Sequence, residues 1–433
     1  MKIAIIGAGL GGMAAAYDLV QAGHETDIFE SADYVGGLAS GIKEPNWDWS
    51  VERFYHHWFL SDKHVFDLID ELGWRDRVVI PKPKTVAYHN GKFYRLDSVL
   101  AALTFPGYNL FGMARFGLVT AYLRYLADWR TLERYPADAW MRRWYGETVY
   151  KSLLEPLMVG KFGEHREEVN MAWMWARLKA RTTRLATFEG GFQAFCNSFA
   201  QVLRDKGVRI HLNTPTTRIA SVQGGLQVDL PDGPHIFDRV LATTSPALLA
   251  RLAPDLPADY LRGLLSLKSM GAVVMILALR HKLSEEGNYW YNIPKSAGYP
   301  FLALVEHTNF VSSDHFGGEH IIYCGDYLDT NHEYFGLTDE ELLERFLPAI
   351  ARFNPKFNRD WVRKIWISRT PYAQPIPLVN HSRNIPDLRT PLEGLYFASM
   401  SQVYPWDRGT NFALEIGRRV ARRMLTELQA NMA

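Results

Sequence analysis

The chain has 433 residues, of which 47% are hydrophobic and 22% are charged. This composition is typical of a globular protein, and the length exceeds one simple core, so we expect two closely joined domains. The formal net charge of +1, without a long run of one sign, argues against a nucleic-acid partner. The two cysteines, Cys196 and Cys324, lack the spacing of a disulfide scaffold or a zinc site. We therefore expect no metal and a cytoplasmic, reducing compartment.

A glycine-rich turn near the N-terminus is the most specific pattern in the chain. Residues 2–6 are a short β-branched run that predicts a buried parallel strand, and Gly7, Gly9 and Gly12 follow it. The first glycine allows a tight turn, the second lets a pyrophosphate approach, and the third lets the next helix pack on the strand. Residues 13–22 predict that helix, whose N-terminus favours an anion. The predicted contacts are Gly7, Ala8, Gly9, Leu10, Gly11 and Gly12.

A carboxylate and a second glycine pair follow this turn. Glu30 ends another strand-like run close to the offset of about 20 residues at which an acid binds ribose hydroxyls. A carboxylate at this position disfavours a 2′-phosphate. The pair Gly36-Gly37 comes next, in the extension formed by residues 30–40.

In this extension the sequence resembles the large FAD-dependent family of monoamine oxidases, protoporphyrinogen oxidases, phytoene desaturases and UDP-galactopyranose mutases. In that family the second glycine pair runs along the pyrophosphate and ribityl chain of FAD. The resemblance implies FAD, and we expect it to be non-covalent because neither cysteine lies in the C-terminal flavin segment. The implied contacts in this extension are Glu30, Ser31, Gly36, Gly37, Leu38 and Ser40.

Two central segments resemble further parts of the family's nucleotide site. Residues 207–219 resemble a returning strand, in which the residue that matches Thr216 meets the adenine edge through its backbone. Residues 240–246, which include Thr243, resemble the strand that closes the nucleotide site. Without the resemblance, both segments show only strand and turn patterns.

The C-terminal segment resembles the part of the family that holds the flavin ring. A long helix is predicted over residues 412–429, and its start would lie under the pyrimidine edge of the flavin. Many relatives carry Gly-Asp where this chain has Ser399-Met400, so the carboxylate contact is either lost or supplied by Asp407. The implied contacts are Asp407, Gly409, Thr410 and Asn411.

Together these segments predict an α/β fold with a discontinuous Rossmann-like FAD-binding domain. That domain would comprise residues 1–60, 186–246 and 385–433. Residues 61–185 and 247–384 would form a discontinuous α+β substrate domain with a mixed sheet. Most of residues 60–185 read as helical, and part of them resembles the helical insertion of protoporphyrinogen oxidases.

Several polar residues are candidates for the substrate side of the flavin. UDP-galactopyranose mutases carry a histidine-containing strand where this chain has His56 and His57, and only one of two neighbours on a strand can face the flavin. Lys161 falls in the loop that lies nearest the substrate cavity in the family. Packed or solvated roles explain each of these side chains equally well. The candidates for catalysis are His56, His57, His307, Arg369 and Tyr372, and Glu306, Asn309 and Gln374 are further candidates for facing the substrate.

The resemblance favours an oxidoreductase that transfers hydride from an apolar or amphipathic small molecule to flavin N5. Amine oxidases place a flavin-contacting lysine four positions after the glycine of a Met-Gly strand, and the match to that position is Met275. This departure argues against amine oxidation. The alternative is a non-redox isomerase resembling UDP-galactopyranose mutase, in which reduced flavin attacks a sugar carbon. No clear arginine pair for a diphosphate is visible, although Arg369 is one candidate. A catalytically idle FAD-binding protein is a third possibility.

Residues 99–126 form a mainly apolar stretch that Arg115 and Arg124 interrupt. No uninterrupted apolar span of about 20 residues occurs, which argues against a transmembrane helix. The stretch has two interpretations: a surface segment for peripheral membrane contact, or ordinary helical core.

Overall fold

The structure, a computed structural model, describes residues 1–430 as a mixed α/β protein. The strands in chain order are β1 Lys2–Ile6, β2 Glu25–Phe29, β3 Gly41–Ile42, β4 Val51–Glu52, β5 Trp58–Phe59, β6 Val78–Val79, β7 Thr85–His89, β8 Lys92–Arg95, β9 Leu185–Phe188, β10 Arg209–His211, β11 Arg218–Val222, β12 Gly225–Leu230, β13 Gly233–Phe237, β14 Arg239–Ala242, β15 Ser269–Leu279, β16 Trp290–Asn292, β17 Ala303–Glu306, β18 His320–Leu328, β19 Val362–Pro375 and β20 Leu395–Phe397.

The α-helices pack around these strands or form a separate helical region. They are α1 Leu10–Gln21, α2 Lys63–Glu71, α3 Val99–Leu103, α4 Leu110–Ala121, α5 Trp129–Leu132, α6 Ala137–Tyr145, α7 Glu147–Val149, α8 Glu155–Phe162, α9 Met171–Ala180, α10 Phe192–Asp205, α11 Pro246–Leu252, α12 Ala258–Ser266, α13 Asp339–Ile350 and α14 Thr410–Ala430. Two short π-helical segments, Tyr122–Leu126 and Tyr150–Leu154, continue α4 and α7.

A five-stranded parallel sheet forms the first half of the fold. Its order is β10-β2-β1-β14-β20, so its strands come from all three segments that were predicted to build the FAD-binding domain. Both faces are covered: Ile3 and Ile5 pack in a core that contains α1 and α14, while Ala4 and Ile6 pack against β11–β13. This accounts for the continuous apolar run of β1. The predicted Rossmann-like α/β fold class is confirmed.

Helices α1 and α14 approach each other through glycine. A Cβ on Gly417 would lie 2.1 Å from the Gly11 carbonyl oxygen, and a Cβ on Gly11 would lie 3.2 Å from the Ala413 carbonyl oxygen. Only hydrogen at these positions lets the two backbones come so close. The N-termini of α1 and α14 therefore hold a defined spacing.

A seven-stranded mixed sheet forms the second half, in the order β19-β15-β18-β17-β16-β7-β8. One face packs against α13, and the other packs against an aromatic cluster that includes Trp47 and Tyr323. Strands β7 and β8 lie in a region that the sequence pattern predicted to be mostly helical. Strand β8 pairs with β7 in a local hairpin, whereas β7 joins the sheet through β16, which comes far later in the chain, so no local pattern reveals that second pairing.

Helices α3–α9 form a helical region with its own core, which contains Met158, Phe162 and Trp173. This region contains the predicted helical insertion. Among the helices of residues 1–430, none is both long enough and apolar enough to cross a membrane.

We expect Gly417→Ala to destabilise the protein because its Cβ would meet the α1 backbone, which cannot move aside as a side chain can. Overpacking of this kind usually costs about 1–3 kcal/mol in the free energy of unfolding. The control is Gly263→Ala in α12, where a Cβ would meet no atom within 4 Å. The control should be neutral or stabilising by up to about 1 kcal/mol. Thermal denaturation midpoints measure the difference, and equal losses in the two variants would contradict the close helix contact.

Candidate functional site

The glycine turn places an open space at the N-terminus of α1. Gly7 has a φ of +108°, and a Cβ there would lie 2.8 Å from Thr243 Oγ1. A Cβ on Gly12 would lie 2.2 Å from the Gly7 carbonyl oxygen. A Cβ on Gly9, by contrast, would meet no protein atom within 4 Å, although Gly9 begins α1. The turn is thus tightly packed everywhere except where a pyrophosphate would approach.

Glu30 and the second glycine pair lie against this turn. The Ala8 amide donates to Glu30 Oε2 and the Ala32 amide donates to Oε1, each at 2.9 Å. Oε2 accepts no other hydrogen bond within the described chain and therefore keeps a lone pair for a ligand hydroxyl. The Gly36 amide donates to the Ala8 carbonyl at 2.9 Å, so the two glycine motifs lie side by side. Ser31 donates to Glu30 Oε1, and Leu38 is partly exposed.

Two buried hydroxyls at this site have no partner in the protein. Ser40 is fully buried, and its Oγ makes no hydrogen bond within the described chain. The same holds for the buried Thr216 Oγ1, near the point where the Thr214 amide donates to the Glu30 carbonyl at 2.8 Å. A buried unsatisfied hydroxyl is costly, so these atoms fit a ligand that supplies the missing bonds. Together with the open space at Gly9, they fit an extended dinucleotide such as FAD.

Other predicted cofactor residues have structural contacts of their own. Thr243 Oγ1 donates to the Ile6 carbonyl at 2.9 Å, which ties β14 to β1. Trp58 Nε1 donates to Thr410 Oγ1 at 3.0 Å, and the Val65 amide in α2 donates to Asn411 Oδ1 at 3.1 Å. Because these side chains are engaged, a cofactor contact at the start of α14 would use its backbone N–H groups. Gly409, at a φ of +152°, precedes that helix.

The two adjacent histidines lie in an extended segment between β4 and β5, not in a strand as predicted. The His56 ring is hydrogen-bonded to the Phe54 carbonyl through Nδ1, whereas the buried His57 Nδ1 has no partner in the described chain. Burial lowers the pKa of His56 to about 4 and that of His57 to about 3. Both rings are therefore neutral at pH 7, and neither can serve there as a protonated acid.

Most residues predicted to face the substrate have structural partners elsewhere. Arg369 donates to the carbonyls of Tyr334 and Leu337 and to Asp339 Oδ1, beside the start of α13. Glu306 accepts from Tyr291 OH, and Asn309 donates to the Asn288 carbonyl.

Three further candidates have distinct surroundings. His307 is buried among aromatic rings that include Phe316 and Tyr323. The Ser401 amide donates to Tyr372 OH at 2.9 Å, so this tyrosine contacts the C-terminal flavin segment. Gln374 reaches a group of charged residues: its Nε2 donates to Asp407 Oδ1 at 3.2 Å, and its Oε1 accepts from Arg408 Nε at 2.9 Å.

That group is the main polar feature of the site, and we call it the cationic cluster. Arg408 donates to Tyr327 OH, and Lys161 Nζ lies 4.1 Å from the centre of the Tyr327 ring. Arg177 Nη1 lies 4.0 Å from Asp407 Oδ2 and makes no hydrogen bond within the described chain. The members are Lys161, Arg177, Arg181, Tyr327, Asp407 and Arg408.

The surroundings shift the pKa values of the cluster. Burial lowers the pKa of Lys161 to about 8 and that of Arg181 to about 10, yet both side chains keep accessible surface. Lys161 is partly exposed and Arg181 is exposed, so neither side chain is packed in the protein core. Burial alone would raise the pKa of Tyr327, but Arg408 and Lys161 outweigh it and lower that pKa to about 8. They likewise hold the pKa of the buried Asp407 carboxyl below its usual range.

Sequence reasoning overlooked most of this cluster. Arg177 and Arg181 are four residues apart in the sequence, a spacing typical of one helix face, although α9 ends at Ala180 and Arg181 directly follows it. That signal was available from the sequence. Tyr327 and Arg408 carry no such signal, because β18 and the loop before α14 meet α9 only in the folded chain. The sequence analysis found no clear arginine pair for a diphosphate, and the structure places Arg177 and Arg181 close enough for their charges to interact.

Met275 does not occupy the place that the sequence comparison assigned to it. It is fully buried with Val273 and Leu277 on the sheet face that packs against α13. The neighbouring Ile276 faces the opposite side, which carries Tyr55 from the histidine segment. Position 275 therefore does not present a side chain to the histidine side.

We expect Gly9→Val to abolish cofactor binding while the apoprotein still folds. The extended backbone of Gly9 accepts a side chain, and the Cβ points into open space, where FAD phosphates would lie. FAD affinity should fall by about tenfold or more, since the pyrophosphate could no longer approach the helix N-terminus. The control is Gly336→Val, at an exposed glycine outside the site. Fluorescence titration with FAD measures affinity, and full FAD binding by Gly9→Val would contradict this placement.

Known proteins resemble the chain in both sequence and fold. A zeta-carotene desaturase from Synechococcus elongatus is 36% identical over 99 residues, which cover 22% of this chain and 20% of that one. The chain thus matches about a fifth of the length of this curated relative. Across 98% of the chain, the fold is similar to that of a proposed protoporphyrinogen oxidase from Exiguobacterium sp. 255-15, of which 99% is covered, with a TM-score of 0.77 and 18% identity.

A reduced UDP-galactopyranose mutase also has a similar fold, with a TM-score of 0.76, 14% identity and coverage of 98% of this chain and 95% of that one. At these identities the structural likenesses show the fold alone. The family model described as flavin containing amine oxidoreductase matches residues 10–425, nearly the whole chain. The resemblance inferred from the N-terminal motifs is confirmed, and the chain belongs to the flavin-containing amine oxidoreductase family.

Proposed function

We propose that the protein is an FAD-dependent oxidoreductase whose substrate is an amphipathic small molecule with an anionic group. Family membership supports flavin chemistry, and the cationic cluster supports the choice of substrate. Lys161, Arg177, Arg181 and Arg408 surround a single carboxylate, Asp407. Such a site attracts carboxylates and phosphates, and it repels the ammonium group of an amine. Of the predicted apolar or amphipathic substrates, this favours the amphipathic class.

The residues that would hold FAD are those of the N-terminal site. Gly9 leaves room for the pyrophosphate at the start of α1, Glu30 Oε2 offers a free lone pair to the ribose, and Ser40 and Thr216 present unpartnered hydroxyls. Both cysteines are buried and unpaired, which supports non-covalent binding. When bound, FAD supplies an acceptor for hydride at flavin N5.

The chain itself would bind, orient and exchange protons. Arg177 and Arg181 would hold the anionic end of the substrate, because Arg177 keeps a buried, unpartnered donor and Arg181 keeps accessible surface. The neutral His56 and His57 would pack beside the reacting part of the substrate. Because they carry no charge, they would not compete with the arginines for its anionic end. Tyr327 and Lys161, whose pKa values lie near 8, are the cluster members that can gain or lose a proton close to neutral pH.

A second candidate is an isomerase that acts on a nucleotide sugar through reduced flavin. The observation in its favour is the Arg177–Arg181 pair, because two interacting guanidinium groups could bind a diphosphate. The fold likeness to UDP-galactopyranose mutase is compatible with this candidate.

One experiment separates the two candidates. The purified protein is loaded with FAD and offered porphyrinogens, carotenoid precursors and nucleotide sugars, both oxidised and after anaerobic reduction. Bleaching of oxidised flavin by an anionic amphipathic substrate supports the oxidoreductase. Sugar rearrangement that requires reduced flavin supports the isomerase instead. Bleaching by amines or by uncharged carotenoid precursors alone would contradict the proposed substrate class.

We expect the double variant Arg177→Met/Arg181→Met to bind anions weakly. Sulfate is a suitable probe because it needs only the charges of the site, and FAD loading first fills the pyrophosphate position. Loss of two charged hydrogen-bond donors should weaken sulfate binding by about tenfold to a hundredfold, measured by calorimetry. The control is Arg262→Met, at an exposed arginine in α12. Unchanged sulfate affinity in the double variant would remove these arginines from the binding site.

We also expect anion affinity to fall as the pH rises through about 8. Above that value Lys161 loses its positive charge and Tyr327 gains a negative one, so both changes weaken binding. Sulfate keeps its charge over this range, and the change therefore reports on the protein. The variant Lys161→Arg/Tyr327→Phe should show an almost constant sulfate affinity between about pH 7 and 9.5. A profile identical to that of the unmodified protein would rule out these two groups.

A further inference from the structure

The helical region presents a continuous row of large apolar side chains to solvent. Each side chain in this row is between 70% and 79% exposed, whereas exposed apolar residues of soluble proteins are usually scattered singly. The row runs along α3, α4 and the π-helical segment that follows α4. We call these residues the apolar face: Val99, Leu100, Leu110, Phe111, Leu118, Tyr125 and Leu126.

The two charged residues within this stretch do not point to solvent with the apolar side chains. Arg115 donates to the Trp144 carbonyl at 2.6 Å, and Arg124 donates to the Leu178 carbonyl at 2.7 Å. Both guanidinium groups thus hold the segment against α6 and α9. In a helix that faces water the polar residues lie outside, and here the arrangement is reversed. The apolar face is therefore held outward by specific contacts.

The apolar face itself carries no acidic side chain, because residues 98–127 contain no aspartate or glutamate. Arg130 follows the segment and lies 3.5 Å from the carboxylate of the exposed Asp128. The exposed Arg143 and Trp144 adjoin the face, since their carbonyls accept from Arg115. Apolar side chains bordered by arginine and tryptophan match the acyl and headgroup layers of an anionic bilayer.

We propose that the apolar face docks on the surface of a lipid bilayer that contains anionic lipids. A second copy of the chain fits less well, because a symmetric contact would join two identical faces that are both bordered by the exposed Arg143 and carry no acidic side chain to receive it. A bilayer meets both requirements of the face, since acyl chains receive the apolar side chains and anionic headgroups receive the cations.

Docking would also bring the cationic cluster near the membrane. Leu178, whose carbonyl accepts from Arg124, is next to Arg177 in α9. The end of the apolar face therefore contacts α9, the helix that carries Arg177 of the cluster. An amphipathic substrate could keep its apolar part in the bilayer while its anionic group reaches the arginines. This consequence rests on the proposed function, whereas docking itself does not.

Flotation of the FAD-loaded protein with vesicles tests the proposal. One set of vesicles is phosphatidylcholine alone, and the other contains about one third phosphatidylglycerol. The test variant is Phe111→Ser/Leu118→Ser/Tyr125→Ser, which changes only exposed positions and should leave folding intact. The matched control is Ile236→Ser/Leu265→Ser, which changes exposed apolar residues outside the face. Flavin absorbance and thermal denaturation verify that all variants are folded.

We expect the unmodified protein and the control to float with the anionic vesicles, and the triple variant to bind them at least about tenfold more weakly. Binding to neutral vesicles should be weaker because the cations contribute nothing there. Three results would overturn the proposal: no flotation of the unmodified protein, equal flotation of the triple variant, or equal flotation with both kinds of vesicle. A dimer in solution that the triple variant loses would assign the face to a second copy instead.

Discussion

The contact between α1 and α14 determines the geometry of the whole cofactor site. The N-terminus of α1 lies at the glycine turn, and the N-terminus of α14 lies at the predicted flavin end. Because Gly11 and Gly417 allow backbone contact, the helices cross at one fixed spacing, and their two positive ends lie at a set distance. The segment that follows β2 adds Glu30 and the second glycine pair. The groups that would contact an extended dinucleotide are thus held in position by the packing of the protein itself.

Burial then decides which polar groups of the site are charged. It keeps His56 and His57 neutral, so they contribute shape and packing to the histidine side. The arginines of the cationic cluster remain charged because guanidinium loses its proton only with great difficulty. Their desolvation is costly unless an anion compensates it, and Asp407 is one carboxylate among several cations. This excess of positive charge is the observation on which the proposed anionic substrate rests.

Local patterns predicted the parts of the molecule that are local in the chain. The strand, turn and helix of residues 2–21 appear where the glycine spacing placed them, and the long C-terminal helix is also present. Patterns were less useful where partners are distant. Arginine is a residue type common in binding sites, but Arg369 donates to Asp339 at the start of α13. Met275 lies on the opposite face of its strand from the histidine side. A shift of one residue along a strand reverses the direction of the side chain, and sequence alone does not show that shift.

By itself, the sequence determined the family, the FAD-type turn, and the α/β class, because each depends on backbone requirements that neighbouring residues reveal. Only the tertiary structure decided which side chains form the rest of the site. The cationic cluster combines α8, α9, β18 and the loop before α14, segments that are brought together by packing. The outward direction of the apolar face is likewise a tertiary property. The same apolar residues would read as core in the sequence, and the inward bonds of Arg115 and Arg124 turn them to the surface.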